Sequence, residues 1–531
     1  MANKQKRKTK PSPALPALDR KSVIYWIIVG ILSFFFLLAP FNRGLFNGSQ
    51  ATFAEDIAAA LMFGSGLLAC LGLHMYHVRA SGHKESVLQH AVWLMPLCYL
   101  ISMITAASAY FSSFQTLIWV FYAVFFTAAY RLALSADGRK AMVLLFSASA
   151  YVIVLFGMMN WFGDASLWGW LNWEHLGGSK HTVYRDAVMV DANGERLTSV
   201  FQYANTYAAY LIAVILVCAT TAAWSFRTVP VVLSAFLIVP SVISFLLTLS
   251  RGGFVALPIA LLLTLPLLGL QRQIHALAHL LIGTAAAVAV LSPVTARGLA
   301  LQKTFVPSDA AAAWLILIGA GAVGAALSWI YQRYAAPRID RWTARFAGMR
   351  FSPLALPALG VVVGAAGIIL LFGNTGFVKL LPANIAVRIE NINLNQHSVL
   401  ERGTFYQDAL KLWSDYPVIG AGGEAWQVLY EKYQNNPYTS RQAHNFFLQT
   451  LVETGALGFL ALLLLLVLVY VCFLKTYRQS DDRDRASILP LYVAATAILL
   501  HSIIDFDMSY VYVGAVVFFS LGGMLGFGRP P

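Results

Sequence analysis

Charge is what this chain has least of. Of its 531 residues only 11% are Asp, Glu, Lys or Arg, against 59% hydrophobic. So little charge cannot clothe a soluble surface, and an ordinary soluble globular protein is excluded. Cysteine is nearly as scarce. Cys70, Cys98, Cys218 and Cys472 all fall inside apolar runs without metal-ligand spacing, so they read as packing residues. The sequence has no P-loop and no dinucleotide fingerprint, and no cofactor is expected. His74, His77, His83 and His90 cluster around one short polar segment, but no acidic or cysteine partner has ligand spacing there. They read as solvated or interfacial histidines, and no metal site is expected.

Long apolar runs are what the chain has in excess. Fourteen segments of about 18–25 residues have the length and composition of membrane-spanning helices. They lie near 23–40, 56–75, 88–109, 113–134, 142–163, 203–222, 231–249, 254–270, 274–292, 311–331, 353–372, 446–474, 487–504 and 508–527. The expected fold is therefore an all-α integral membrane protein with about 14 transmembrane helices. Its regions are a basic cytoplasmic tail (1–22), N-terminal spans (23–163) and a central region (164–372) with an outer loop at 164–202 and a turn at Arg251. A large external loop (373–445) and C-terminal spans (446–531) complete it.

The net charge of +13 is a topology signal rather than a nucleic-acid signal. Lys4, Lys6, Arg7, Lys8, Lys10, Arg20 and Lys21 precede the first span, with no small-residue cleavage site like that of a secretory signal. A cytoplasmic N-terminus puts 24 Lys/Arg and 7 Asp/Glu on the inner side, and 13 and 17 on the outer. The inner excess suits an anionic lipid leaflet, and no Lys or Arg is expected inside a span.

Chemistry concentrates in the outer segments. Trp168, Trp170 and Trp173 suit the headgroup level. Asn193-Gly194 can turn a small β-hairpin between Val188–Val190 and Leu197–Val200. Asn205 enters the next helix from the outer side, where helix capping, interhelical hydrogen bonding and substrate contact are all open. Ser250–Arg251–Gly252–Gly253 joins two spans. An arginine at a helix N-terminus can bind a phosphate, and the competing reading is a snorkelling interfacial arginine. The inner segment 332–350 carries Arg333, Arg338, Arg341, Arg345 and Arg350, read as positive-inside charge. In the large outer loop, Phe405, Ala409, Leu412 and Trp413 share a helical face ending at Pro417. A second short helix (Trp426, Leu429, Tyr430, Tyr433) stops at Asn435–Asn–Pro437. The two suit a lid over a lateral groove. The turn Gly420–Ala–Gly422–Gly423 between them is a weak phosphate signal.

His444 stands where that loop enters an apolar helix. The positive end of a helix favours the neutral imidazole that a general base needs. Glu453 lies nine residues on and out of phase with it. His501 and Asp505 are spaced i, i+4 and are expected to share a face, as a supporting pair or an acceptor contact. No paired carboxylates at glycosidase spacing stand near His444.

Four ordered pieces resemble the O-antigen ligase/polymerase superfamily of bacterial membrane glycosyltransferases. They are Ser250–Arg251–Gly–Gly, Glu401–Arg402–Gly with Tyr416–Pro–Val–Ile–Gly420–Ala–Gly422, His444–Asn445–Phe–Phe with Glu453–Thr–Gly455, and His501 with Asp505–Phe. The resemblance implies a glycosyltransferase-C-like helical bundle in the bacterial inner membrane, with its active site on the external face. It implies metal-independent transfer of a glycan from undecaprenyl diphosphate to an acceptor hydroxyl. His444 would be the general base, and Arg251 and Arg402 would hold the diphosphate. Asn205, Asn445, His501 and Asp505 are candidates for acceptor contact or support, although Ala204 stands where a proline is common in the family. Ligation, repeat-unit polymerisation and protein O-glycosylation share these patterns. A lipid-linked glycan flippase or exporter, from a different class, would need ionisable groups inside its helices. A polytopic scaffold is the third reading.

Overall fold

The computed structural model describes residues 18, 20–46, 53–80, 87–164, 186–191, 194–347, 349, 351–361 and 397–528. The tail before residue 18, the three tryptophans of 168–173, His83, Arg350 and the end of the segment 353–372 lie outside them.

The protein is an all-α integral membrane protein. Its helices are α1 (Val23–Leu38), α2 (Phe53–Ala80), α3 (Leu94–Ser102), α4 (Ala109–Ala133), α5 (Ala136–Trp161), α6 (Ala204–Trp224), α7 (Thr228–Leu247) and α8 (Arg251–Thr264). There follow α9 (Leu270–Lys303), α10 (Pro307–Ile330), α11 (Ala336–Ala347) and α12 (Ser352–Val361). The last are α13 (His397–Asp415), α14 (Ala425–Tyr433), α15 (Phe446–Gln479), α16 (Asp482–His501) and α17 (Val511–Phe527). Among the described residues, nine helices are long and apolar enough to cross a membrane, with four shorter apolar ones beside them.

Burial sorts the helices by position. In α6, nearly every side chain from Ala204 to Ala223 is buried, so it lies at the centre of the bundle with α7, α9 and α16 around it. α17 lies along α4, its Gly514, Gly522 and Gly526 allowing the backbones to approach, as small residues do between membrane helices. That contact anchors the turn 502–510 between α16 and α17, which carries Asp505.

The structure departs from the sequence expectations in several places. Arg131 is buried inside α4, in its last turn, where the helix dipole favours a cation. Helix α9 continues past Pro293 to Lys303, through a stretch expected to be an outer loop. Residues 332–347, expected within an inner loop, are helical, because α10 runs through a π-turn (Tyr331–Ala335) straight into α11. The hairpin does form, from β1 (Val188–Asp191) antiparallel to β2 (Gly194–Leu197), with Gly194 paired to Asp191 as the first residue of β2; Asn193 lies outside the described residues.

The segment 397–445 packs as its own small core. Phe405, Ala409 and Leu412 of α13 meet Ala425, Trp426 and Tyr430 of α14, together with Ala443 and Val452. Helical spacing in both stretches anticipated this face.

Candidate functional site

Three helices begin at one end of the bundle: α6 after Tyr203, α8 after Ser250 and α15 after Asn445. Ser250 Oγ accepts from the Gly253 N–H at 3.1 Å, and Asn445 Oδ1 accepts from the Leu448 N–H at 3.0 Å. Both are N-caps that occupy otherwise unpaired helix donors. Asn445 is thus committed to starting α15. The residue before each cap has a left-handed backbone, with φ of 57° at Gln202, 51° at Leu249 and 52° at His444. Such φ values are uncommon for non-glycine residues, and each turns the chain sharply into its helix.

Asp505 is the hub of the polar cluster at this end. Its Oδ2 accepts from Arg402 Nη2 at 2.8 Å and from Asn205 Nδ2 at 2.8 Å. Its Oδ1 accepts from the Phe506 N–H at 3.0 Å and lies 3.2 Å from His444 Nδ1. Tyr203 Oη donates at 3.3 Å and also accepts from Asn205 Nδ2 at 2.9 Å. Burial alone would raise the Asp505 carboxyl. The hydrogen bond from His444 and the Arg402 charge outweigh it and hold the group below the usual carboxylate range. Burial likewise works against the Arg402 cation, and the Asp505 charge more than compensates, so its pKa is raised.

An ionised carboxylate only accepts hydrogen bonds, so the proton between the pair sits on His444 Nδ1, the tautomer whose neutral form carries its lone pair on Nε2. The ring is held on other sides too. Phe506 meets it edge-on at 4.7 Å, Phe405 lies at 5.5 Å, and Tyr406 Oη donates to the His444 carbonyl at 3.0 Å. The His444 side chain keeps 19% exposure while that of Asp505 keeps 2%. A molecule arriving from outside therefore reaches the imidazole and not the carboxylate.

Arg196, on β2, completes the cluster. It donates to Asp191 Oδ2 (2.9 Å), to the Thr248 carbonyl (2.8 Å) and to Asn205 Oδ1 (3.2 Å). Arg251, the first residue of α8, lies within electrostatic reach of both Arg196 and Arg402. Three guanidiniums thus gather near the N-terminus of α8, two of them paired with Asp191 and Asp505. Neither Arg196 nor Tyr406 was singled out from sequence. For Tyr406 the available signal was its place one turn beyond Arg402 on the same helix.

His501 and Asp505 do not form the expected pair. Helix α16 ends at His501, so i, i+4 geometry does not extend to residue 505. His501 Nδ1 instead meets Asp507 Oδ2 at 2.8 Å, with both side chains fully buried, and Ser502 Oγ donates to the same oxygen at 3.1 Å. The start of α8 packs here, a Cβ added at Gly252 falling 3.4 Å from His501 Nε2.

The glycine turn 420–423 is a clasp. α15 breaks at Gly455 (φ 63°, ψ −167°), and the freed backbone pairs with the turn: Ala421 N–H to Val452 O at 2.9 Å, Gly422 N–H to Glu453 O at 3.0 Å and Ala456 N–H to Pro417 O at 2.9 Å. A Cβ at Gly420 or at Gly455 would lie 2.4 Å from the backbone of the other strand. Those turn amides are therefore spent on the chain itself. Glu453 supports the same clasp, accepting from Tyr99 Oη at 2.6 Å, from the Glu424 N–H at 3.1 Å and from Gln449 Nε2 at 3.2 Å. A cavity of about 20 Å³ between these groups has room for about one water.

Comparison with known proteins bears on the same segment. Residues 300–463 match a sequence model of the family described as O-antigen ligase. The chain is also 24% identical over 163 residues to the exopolysaccharide production protein ExoQ of Rhizobium meliloti (strain 1021), a match covering 29% of this chain and 37% of that protein. The region carrying Arg402, the glycine clasp and His444 is thereby similar to the family described as O-antigen ligase.

Proposed function

We propose that the chain is a membrane glycosyltransferase that moves a glycan from undecaprenyl diphosphate to an acceptor hydroxyl at the external membrane face. The observation that carries this reading is the His444–Asp505 couple, held on the same carboxylate by Arg402 and Asn205. His444 Nε2 takes the proton of the acceptor hydroxyl as its oxygen attacks the anomeric carbon. The bond from that carbon to the diphosphate oxygen breaks, and its electron pair leaves with the diphosphate. Asp505 stabilises the imidazolium and fixes the tautomer, as the carboxylate does in other histidine-base sites.

Arg251, at the start of α8, and the face of Arg402 turned from Asp505 supply positive charge for the leaving diphosphate. Such charge counts for most where water is scarce. Because Arg402 is also ion-paired with Asp505, it links the base to the leaving-group pocket. The α13–α14 segment, bounded by Phe405 and Tyr406 at the imidazole, covers the site from the aqueous side. Ligation to a lipid, repeat-unit polymerisation and protein O-glycosylation are three forms of this one transfer, differing in which hydroxyl His444 deprotonates.

Transfer of radiolabelled lipid-linked glycan by the purified full chain tests the proposal. The native protein is expected to consume the donor and release undecaprenyl diphosphate, and His444→Ala is expected to lose about 10²-fold or more in rate. Full activity in His444→Ala, or translocation of the lipid without bond cleavage, would reject it.

A further inference from the structure

The far end of the bundle holds a second basic site. α6 runs from Asn205 in the polar cluster to Trp224, about 30 Å away at 1.5 Å per residue. α7 starts there at Thr228 and returns to Thr248, whose carbonyl Arg196 holds. Between the α6–α7 turn and the end of α10 lies a cavity of about 180 Å³ lined by Phe226, Arg227, Thr228, Trp329, Gln332 and Arg333, among others. At roughly 30 Å³ per water it has room for about six water-sized bodies.

The walls are fixed. Gln332 Nε2 donates to the Ser225 carbonyl at 3.0 Å, and its Oε1 lies 3.0 Å from His279 Nε2, so the Gln332 amide is committed to the scaffold. Trp329 Nε1 lies 3.4 Å from Thr228 Oγ1. The π-turn Tyr331–Ala335 permits this arrangement, burying Gln332 while Arg333 is exposed at the cavity. Among the described residues neither Arg227 nor Arg333 has a carboxylate partner. The acidic group on the adjoining helix α11, Asp340, is occupied by His275 Nε2 at 2.9 Å. Arg272, Arg338, Arg341 and Arg345 on α9 and α11 add to the positive field. Beside the arginines the lining Phe226 is 63% exposed, and Val229, next in the chain to the lining Thr228, is 65% exposed.

Two guanidiniums without carboxylates, a tryptophan and an exposed apolar rim at one membrane surface are the features of a phospholipid headgroup site. We propose that this cavity binds the phosphate of an anionic phospholipid, at the membrane surface opposite the His444 cluster, with the acyl chains lying against Phe226 and Val229. Arginine suits this ligand because its planar fork pairs with phosphate oxygens.

The test uses the full chain, delipidated in detergent and mixed with phosphatidylglycerol or phosphatidylcholine, with retained lipid counted by native mass spectrometry. Phosphatidylglycerol is expected to be retained about tenfold more tightly. The double variant R227Q/R333Q should abolish that preference. Thr228→Glu, which puts a negative charge at the exposed first residue of α7, where the helix tolerates it, should weaken it as well. Equal retention of the two lipids, or a preference surviving in both variants, would overturn the proposal. Displacement of phosphatidylglycerol by millimolar inorganic phosphate would assign the site to a soluble anion and overturn the lipid source.

Discussion

Asp505 decides most at the scale of single residues, because one carboxylate orients His444, anchors Arg402 and receives Asn205. Asp505→Asn keeps the shape and removes the charge that fixes the His444 tautomer. It should lower transfer by about 10²-fold or more while KM changes little, and adding His444→Ala should cost little further. Additive losses in steady-state kinetics would show that the two act separately. Asp505 stays ionised through mild acid because its pKa is depressed. Its contribution to stability is therefore present above the ordinary carboxylate range and lost only as pH falls through its lower folded value. Glu424 behaves in the opposite sense. Burial, and then the nearby Glu453 charge, push its carboxyl well above 4.5. A raised acid is stabilising only while protonated in both states, and that contribution is lost as pH rises from about 4.5 toward the folded value. Glu424→Gln should therefore raise Tm at pH 7–8 and change it little at pH 4, a difference readable by thermal unfolding in detergent. A constant offset across pH would refute this account.

At the scale of elements, the clasp between residues 417–423 and the break in α15 sets the angle at which the His444 end of the helix reaches Asp505. Gly455→Ala would combine a left-handed backbone with a contact to the Val418 backbone. It should cost upwards of about 2 kcal/mol, seen as a fall in Tm. The cap of α15 is a milder lever. Asn445→Asp keeps an oxygen for the Leu448 N–H and should retain transfer. Asn445→Ala should cost about 1 kcal/mol and reduce turnover. Equal activity of the two would remove capping as the role of Asn445. These elements were legible to different degrees. The α13 face showed in the spacing of Phe405, Ala409 and Leu412, and the start of α15 in the polar-to-apolar change at His444. The glycine turn resembled a phosphate loop, because a glycine needed for close backbone approach looks the same in sequence whatever approaches it.

Across the whole molecule, α6 and α7 separate the His444 cluster from the arginine-rich α11 by the thickness of a membrane, and the Lys/Arg asymmetry predicts a cytoplasmic α11. In a background lacking the four native cysteines, Lys432→Cys on α14 should react with an impermeant maleimide from outside sealed spheroplasts. Arg341→Cys on α11 should react only after permeabilisation. Labelling of both from the same side would invalidate the orientation.

Composition and periodicity alone determined that the chain crosses a membrane many times, where its apolar runs lie, and that its polar chemistry concentrates in the segments between them. Those properties are local, since a helix in lipid satisfies its own backbone hydrogen bonds wherever its neighbours are. What only the tertiary structure decided was partnership. Asp505 serves His444, 61 residues away, rather than His501, four residues away, and His501 turns instead to Asp507. Arg196 reaches Asn205 and Thr248 from a hairpin, and two arginines from the α6–α7 turn and the π-turn after α10 line one cavity. A hydrogen bond depends on where two groups end up in space, and in a bundle that is set by how the helices pack.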